Sequence, residues 1–206
     1  IRFCMVVPSA QIKSAVLLAG LYAKGPTTVV ESLPTRDHTE RLLIRMGADL
    51  TVADSEILLR PGRPLQAQKL HIPGDISSAA FFICGAAIRP GSSLTVKNIG
   101  LNPGRTGFID LLKRMGADIQ ITENGSDDWE PVGEITVKGS GLKGILIEKE
   151  MIPRVIDELP ILMVTATQAK GQPVIRGAQE LRVKETDRIH SMVTGLREMG
   201  AQIRSE

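Results

Sequence analysis

The sequence predicts a modular α/β fold made of a few large, similar units, and three observations lead to it. Residues 41–49, 111–118 and 196–201 each end an amphipathic run in Met-Gly-Ala, at Met46-Gly47-Ala48, Met115-Gly116-Ala117 and Met199-Gly200-Ala201. Residues 14–22, 77–88 and 159–168 are runs of small and apolar side chains of helical length. Both kinds of run lead, through glycine, into short stretches that read as strands. Amphipathic periodicity stopped by glycine is a helix end, and alternation after it is a strand. The period marked by Gly47, Gly116 and Gly200 is longer than the roughly 20–50 residues of solenoid repeats, so the units are large and few.

In chain order, Ile1-Arg2-Phe3-Cys4-Met5-Val6-Val7 reads as a strand and residues 14–22 as an apolar helix, followed through Gly25 by a strand at 27–30. The amphipathic helix ending at Gly47 precedes the strand Leu50-Thr51-Val52. Pro73-Gly74 suits a hinge. The pattern then repeats, with an apolar helix at 77–88, a strand at 94–96, an amphipathic helix ending at Gly116 and the strand Ile119-Gln120-Ile121. It begins once more with the helix at 159–168, a strand at 173–175 and a helix carrying Ile189, Met192, Val193, Leu196 and Met199, before a last expected strand at Gln202-Ile203-Arg204. The longer intervals leave room for a further strand in each unit. The first helix of each unit, apolar nearly all round, is expected to be buried, and the second to lie nearer the surface.

Composition narrows the function. The 206 residues carry a formal net charge of +2 with only 3% aromatic residues, which gives neither the electrostatic footprint nor the stacking surface of a nucleic-acid binder. No apolar run reaches membrane-spanning length and no leader pattern is readable, so neither a membrane nor nucleic acid is expected as a partner. Cys4 and Cys84 are too few for a disulfide framework or a zinc site. That fits a reducing cytoplasm, with no metal and no cofactor expected.

Chemistry concentrates at the helix starts. Ser9-Ala10-Gln11, Pro73-Gly74-Asp75-Ile76-Ser77-Ser78 and Ile156-Asp157-Glu158 precede the apolar helices. Thr35-Arg36-Asp37, Gly104-Arg105-Thr106 and Glu185-Thr186-Asp187-Arg188 precede the amphipathic ones. Free N–H groups at a helix start favour anions, so converging starts would form an anion trap. Lys184, Glu185 and Arg188 are expected to crowd the last start, two cations beside a carboxylate, as suits an anionic substrate handled with a proton donor or acceptor. Ser9 and Asp157 each have a plainer reading as helix caps. His38, His71 and His190 stand singly, and Cys84 reads as packing in a buried helix.

The segments Ser9-Ala10-Gln11-Ile12-Lys13-Ser14-Ala15, Thr35-Arg36-Asp37-His38-Thr39-Glu40, Pro73-Gly74-Asp75-Ile76-Ser77-Ser78-Ala79, Ile156-Asp157-Glu158-Leu159-Pro160 and Glu180-Leu181-Arg182-Val183-Lys184-Glu185-Thr186-Asp187-Arg188 together resemble the 5-enolpyruvylshikimate-3-phosphate synthases, over the whole chain and in the family's order. Ala10 and Arg36 look most like the class II bacterial branch. The resemblance implies an inside-out α/β barrel of enolpyruvyl transferase type, with two domains of three βαβαββ units each. Residues 1–72 would be the last unit of one domain and 73–206 about two units of the other.

The implied reaction moves the enolpyruvyl group of phosphoenolpyruvate to the 5-hydroxyl of shikimate 3-phosphate and releases phosphate, in the route to chorismate and the aromatic amino acids. Carried over by position, Ser9, Ala10 and Gln11 would bind shikimate 3-phosphate, and Arg36 would add a cation on that side. Asp157 would be the general base for the 5-hydroxyl and also touch the substrate, with Lys184 contacting the shikimate hydroxyls and helping to neutralise Asp157. Glu185 would deliver a proton to the methylene carbon of phosphoenolpyruvate, and Arg188 would grip its carboxylate in a fork.

Several of the family's segments have no counterpart here, among them its early lysine-serine-arginine stretch and its late arginine and lysine. The chain therefore reads as a central fragment, expected to be inactive alone and to depend on the missing terminal segments of the same enzyme. The competing readings are a non-catalytic module for a phosphorylated ligand, a structural fragment, or the sibling UDP-N-acetylglucosamine enolpyruvyl transferase. Neither cysteine sits in the charged loop that the sibling's reactive cysteine requires.

Overall fold

The computed structural model describes residues 1–124 and 129–205. The first unit runs β1 (Arg2–Cys4), α1 (Ala10–Gly20), β2 (Thr27–Val30), α2 (His38–Arg45), β3 (Asp49–Ala53) and β4 (Glu56–Arg60). Its sheet has the order β1-β2-β4-β3, with β1 and β2 parallel and the other pairs antiparallel. The parallel pair is bridged by α1, and the antiparallel pair β3–β4 needs only a tight turn, where Asp54 takes a φ of 50°.

The second unit repeats this order: α3 (Ile76–Ile88), β5 (Ser93–Gly100), α4 (Gly107–Arg114), β6 (Asp118–Glu123) and β7 (Val132–Lys138). Its sheet is β5-β7-β6, both pairs antiparallel. A parallel bridge between Gly74 and Ile99 stands where the first unit has β1 against β2. The third stretch begins the pattern again with β8 (Leu146–Ile147), α5 (Ile152–Val155), α6 (Leu159–Ala166), β9 (Val174–Ile175) and α7 (Arg188–Glu198), β8 and β9 being parallel. The βαβαββ unit is thus complete once, nearly complete a second time and begun a third.

Local chemistry explains the elements. Gly47, Gly116 and Gly200 adopt φ of 84°, 98° and 91°, the left-handed stop that ends three amphipathic helices and turns the chain out of each. In α3, Ile76, Ala79, Ala80, Ile83, Cys84 and Ala87 are buried, a stripe at helical spacing. Its first turn is capped by the Asp75 carboxylate, which accepts from the N–H of Ser77 at 3.2 Å and of Ser78 at 3.0 Å.

Two separate apolar cores result. Met5, Leu17, Val29, Leu43, Ile57 and Leu59 form the smaller, in the first unit. The larger draws only on residues from Ile76 onward. Residues 61–69 carry no strand or helix, and Gln66 donates from its N–H to the Met46 carbonyl, 2.8 Å away. The chain crosses between the cores at Ile72-Pro73-Gly74.

Several expectations are corrected. The first apolar helix starts at Ala10 rather than 14, because Ser9 caps it. It is not buried all round: Ile12 is 43% and Leu18 49% exposed, and Phe81 and Phe82 of α3 are 62% and 70% exposed. Each of these helices packs on a sheet with one stripe only. Lys184 and Glu185 do not lie on α7, since a 3-10 turn at Gln179–Val183 is followed by irregular chain up to the cap at Asp187. Gln202-Ile203-Arg204 is not in a sheet among the described residues. Ile203 packs against the larger core, and its carbonyl accepts from Arg197 Nε at 2.7 Å.

Candidate functional site

Ser9 caps α1, its hydroxyl accepting from the Ile12 N–H at 3.4 Å, with Ala10 and Gln11 as the first two helical residues. Below them Lys13, the helix's buried cation, has its Nζ 2.6 Å from Glu40 and 3.2 Å from Glu31. Glu31 also accepts from the Thr35 N–H at 3.1 Å and its hydroxyl at 2.5 Å. The next residue, Arg36, is thereby anchored from beneath by a buried charge cluster. Burial pushes the Glu40 carboxyl above its usual range against the pull of Lys13.

Arg36 reaches across the seam. Its Nη1 lies 2.9 Å from Asp157 Oδ2, the two side chains being 28% and 38% exposed. Asp157 sits in the turn between α5 and α6 and does not cap: the residue before α6 is Glu158, which makes no side-chain capping bond. The helix-cap alternative for Asp157 is therefore set aside; its side chain stands part-exposed beside Arg36. Glu158 turns inward instead, 3% exposed, and accepts from the Ser77 hydroxyl. Burial raises its carboxyl, with the Ser77 hydrogen bond and Arg105 opposing and the Asp157 charge adding to the rise. Arg105 also pairs with Asp75 at 3.1 Å.

The third group is internally satisfied. Lys184 Nζ pairs with Glu180 at 2.5 Å, and Arg188 Nη2 with Glu185 at 2.8 Å. A hydrogen bond at its own backbone and the Arg188 guanidinium hold Glu185 below the usual carboxylate range. Among the described residues no hydrogen bond or ion pair joins the Ser9–Gln11 group, the Arg36–Asp157 pair and the Lys184–Arg188 group. The structure thus brings Arg36 and Asp157 together, whereas the expected contact of Lys184 with Asp157 is replaced by Lys184 with Glu180.

Sequence reasoning passed over Lys13, Asp37, His38, Asn102, Glu130 and Glu158. Lys13 carried a readable signal, since it shares the buried stripe with Leu17 and Gly20, and a lysine on such a stripe needs acidic partners. His38, which stands singly in the sequence, has its Nδ1 2.5 Å from Glu130. These contacts border a cavity of about 240 Å³ lined in part by His38, Asn102, Arg105, Trp129 and Glu130. None of the eight site candidates lines it. Cys84 is buried, its thiol pushed up to about 11 by burial.

The fold defines the class first. The fold is that of an enolpyruvyl transferase, as a likeness in fold alone to NikO of Streptomyces tendae shows: TM-score 0.60 at 20% identity, over 78% of this chain and 37% of that one. The family comes next. EPSP synthase (3-phosphoshikimate 1-carboxyvinyltransferase) matches residues 1–206, and the chain belongs to that family. It is 50% identical over 203 residues to the 3-phosphoshikimate 1-carboxyvinyltransferase of Bacillus licheniformis, covering 98% of this chain and 47% of the relative. To that of Petrotoga mobilis it is 51% identical over 198 residues, covering 96% and 46%. The solved EPSP synthase of Acinetobacter baumannii superposes with a TM-score of 0.86 at 48% identity, over 97% of this chain and 45% of that one. The chain spans about half the length of the relatives it matches. Among the described residues no helix is long and apolar enough to cross a membrane.

Proposed function

We propose that this chain supplies the shikimate 3-phosphate side and the acid–base residues of an enzyme that transfers the enolpyruvyl group of phosphoenolpyruvate to the 5-hydroxyl of shikimate 3-phosphate. The observation that carries the reading is the Arg36–Asp157 pair, 2.9 Å across the seam between the two cores. Residues 1–72 then belong to one domain and 73–206 to the other, with separate cores and a Pro73-Gly74 crossing in support. In this scheme Ser9, Ala10 and Gln11 offer a hydroxyl, backbone N–H groups and an amide to the substrate phosphate at the α1 N-terminus. When that phosphate draws Arg36 away, the Asp157 carboxylate is released to accept the 5-hydroxyl proton, and Lys184 approaches to balance its charge. Likewise a substrate carboxylate that recruits Arg188 removes a partner that keeps Glu185 ionised, favouring Glu185 as the proton donor. Ala10 and Arg36 support the class II branch, and two free thiols at Cys4 and Cys84 support a cytoplasmic setting.

The test is calorimetric titration of shikimate 3-phosphate into the chain, with phosphate release assayed with and without the complementary terminal segments. The expected outcome is binding by the chain and turnover only when the segments are added. Binding without turnover in either case would favour a ligand-binding module, and absence of both would overturn the proposal.

A further inference from the structure

We infer that Asn102 is a positioning residue, a buried amide clamped between the two halves that holds the Arg36 turn in register with Asp157. The cores share no buried apolar residue, so their mutual angle is set by polar contacts at the seam. Asn102 is 2% exposed and stands at the centre of those contacts. Its Nδ2 donates to Asp37 Oδ1 at 2.7 Å, across the seam, and to Glu130 Oε2 at 2.9 Å, on its own side. Its Oδ1 accepts from the Gly104 N–H at 2.8 Å, which fixes the amide's orientation, because the flipped amide would set N–H against N–H. Glu130, 4% exposed, completes the clamp by meeting His38 Nδ1.

Asp37 and His38 directly follow Arg36, so clamping them fixes where the guanidinium starts. The backbone of the opposing half closes the same turn: a Cβ added at Gly104 would stand 3.2 Å from Arg36 Cα and 3.6 Å from its nitrogen. Burial alone would raise the Asp37 carboxyl, but hydrogen bonds from Arg41 and Asn102 outweigh it and hold the group below its usual value. The clamp is therefore built around a charged Asp37, and the amide serves as its donor from the other half. An ion pair as exposed as Arg36–Asp157 contributes little by itself, whereas removing the Asn102 amide takes a hydrogen bond from the part-exposed Asp37 and leaves the buried Glu130 carboxylate short of a donor.

The consequence for function rests on the proposed roles of Arg36 and Asp157, so the experiment reads geometry and binding separately. Spin labels are placed on exposed Cys4 in the first half and on an introduced cysteine at exposed Lys138 (Lys138→Cys) in the second; buried Cys84 stays unlabelled. The unaltered seam should give one narrow distance distribution. Asn102→Ala and Asn102→Asp should broaden it, with far-UV circular dichroism unchanged. Gly104→Ala, whose Cβ would crowd both the Asn102 Oδ1 at 3.1 Å and the Arg36 backbone, should shift its mean. Distributions superimposable on the parent for all three variants would overturn the inference. In the binding arm, shikimate 3-phosphate is titrated calorimetrically into the parent and each variant. Asn102→Ala should weaken binding about tenfold, as a lost hydrogen bond to a charged group does, and no further when combined with Arg36→Gln. If the parent chain does not bind the ligand, the functional proposal fails while the distance measurement still decides the positioning role.

Discussion

Asp157 and Glu158 are adjacent carboxylates in opposite settings, one part-exposed beside Arg36, the other buried against Ser77. Environments that separate two carboxylates assign them different work. In an enzyme completed by the terminal segments, Asp157→Ala should lower kcat by about 10²-fold or more with little change in shikimate 3-phosphate affinity, as for a lost general base. A change in melting temperature with kcat intact would show the role to be structural. Glu158 yields a pH signature. Its folded carboxyl lies above the usual 4.5, so between that value and its raised one the folded chain binds more protons than the unfolded. Stability from this group is greatest in acid and is lost as pH rises through the window. Glu158→Gln keeps an acceptor for Ser77 but cannot ionise. Its urea midpoint relative to the parent should therefore rise as pH goes from about 4.5 to about 7. A difference between the two proteins independent of pH would refute it.

Among the elements, the repeat was the most readable feature, because it is written in local chemistry that needs no tertiary knowledge. The Met-Gly-Ala endings became three left-handed stops, and the apolar helices formed where expected except that the first starts early, at Ala10. What escaped were β4 and β7 (Glu56–Arg60 and Val132–Lys138), read only as room for a further strand. Helix starts were also misjudged where a cap decides them. Lys184 and Glu185 looked like a first helical turn, yet Asp187 accepts from the His190 N–H at 2.9 Å and sets the start at Arg188. The candidate residues could be picked out by type but not paired, since Arg36 with Asp157 and Asp37 with Asn102 join distant segments whose meeting depends on the angle between halves. Capping provides the element-scale prediction. Asp75 accepts from two α3 N–H groups and from the Ser78 hydroxyl at 2.7 Å, so Asp75→Ala should destabilise the larger core by about 1 kcal/mol. Asp75→Asn should lose much less in the same urea titration, since an asparagine caps nearly as well. Equal losses would assign the effect to the Arg105 ion pair instead.

At the scale of the whole molecule, two cores joined by a polar seam leave apolar helix faces in solvent. On α1, Ile12 and Leu18 are exposed, and on α3 the neighbouring Phe81 and Phe82 present most of their rings while the opposite stripe fills the core. Paired exposed phenylalanines on one helix exceed the singly scattered apolar residues of an ordinary surface, and burying aromatic area is among the stronger drives to associate. The chain should therefore self-associate reversibly, visible in sedimentation velocity as a weight-average coefficient that climbs with concentration. The doubly substituted chain, Phe81→Ser with Phe82→Ser, should show a flatter dependence. Because neither ring belongs to the core, its melting temperature should stay within the small range typical of surface substitutions, about 0.5 kcal/mol in stability. A concentration dependence unchanged by the double substitution would place the sticky surface elsewhere, with the α1 residues Ile12 and Leu18 next to be tested in the same way.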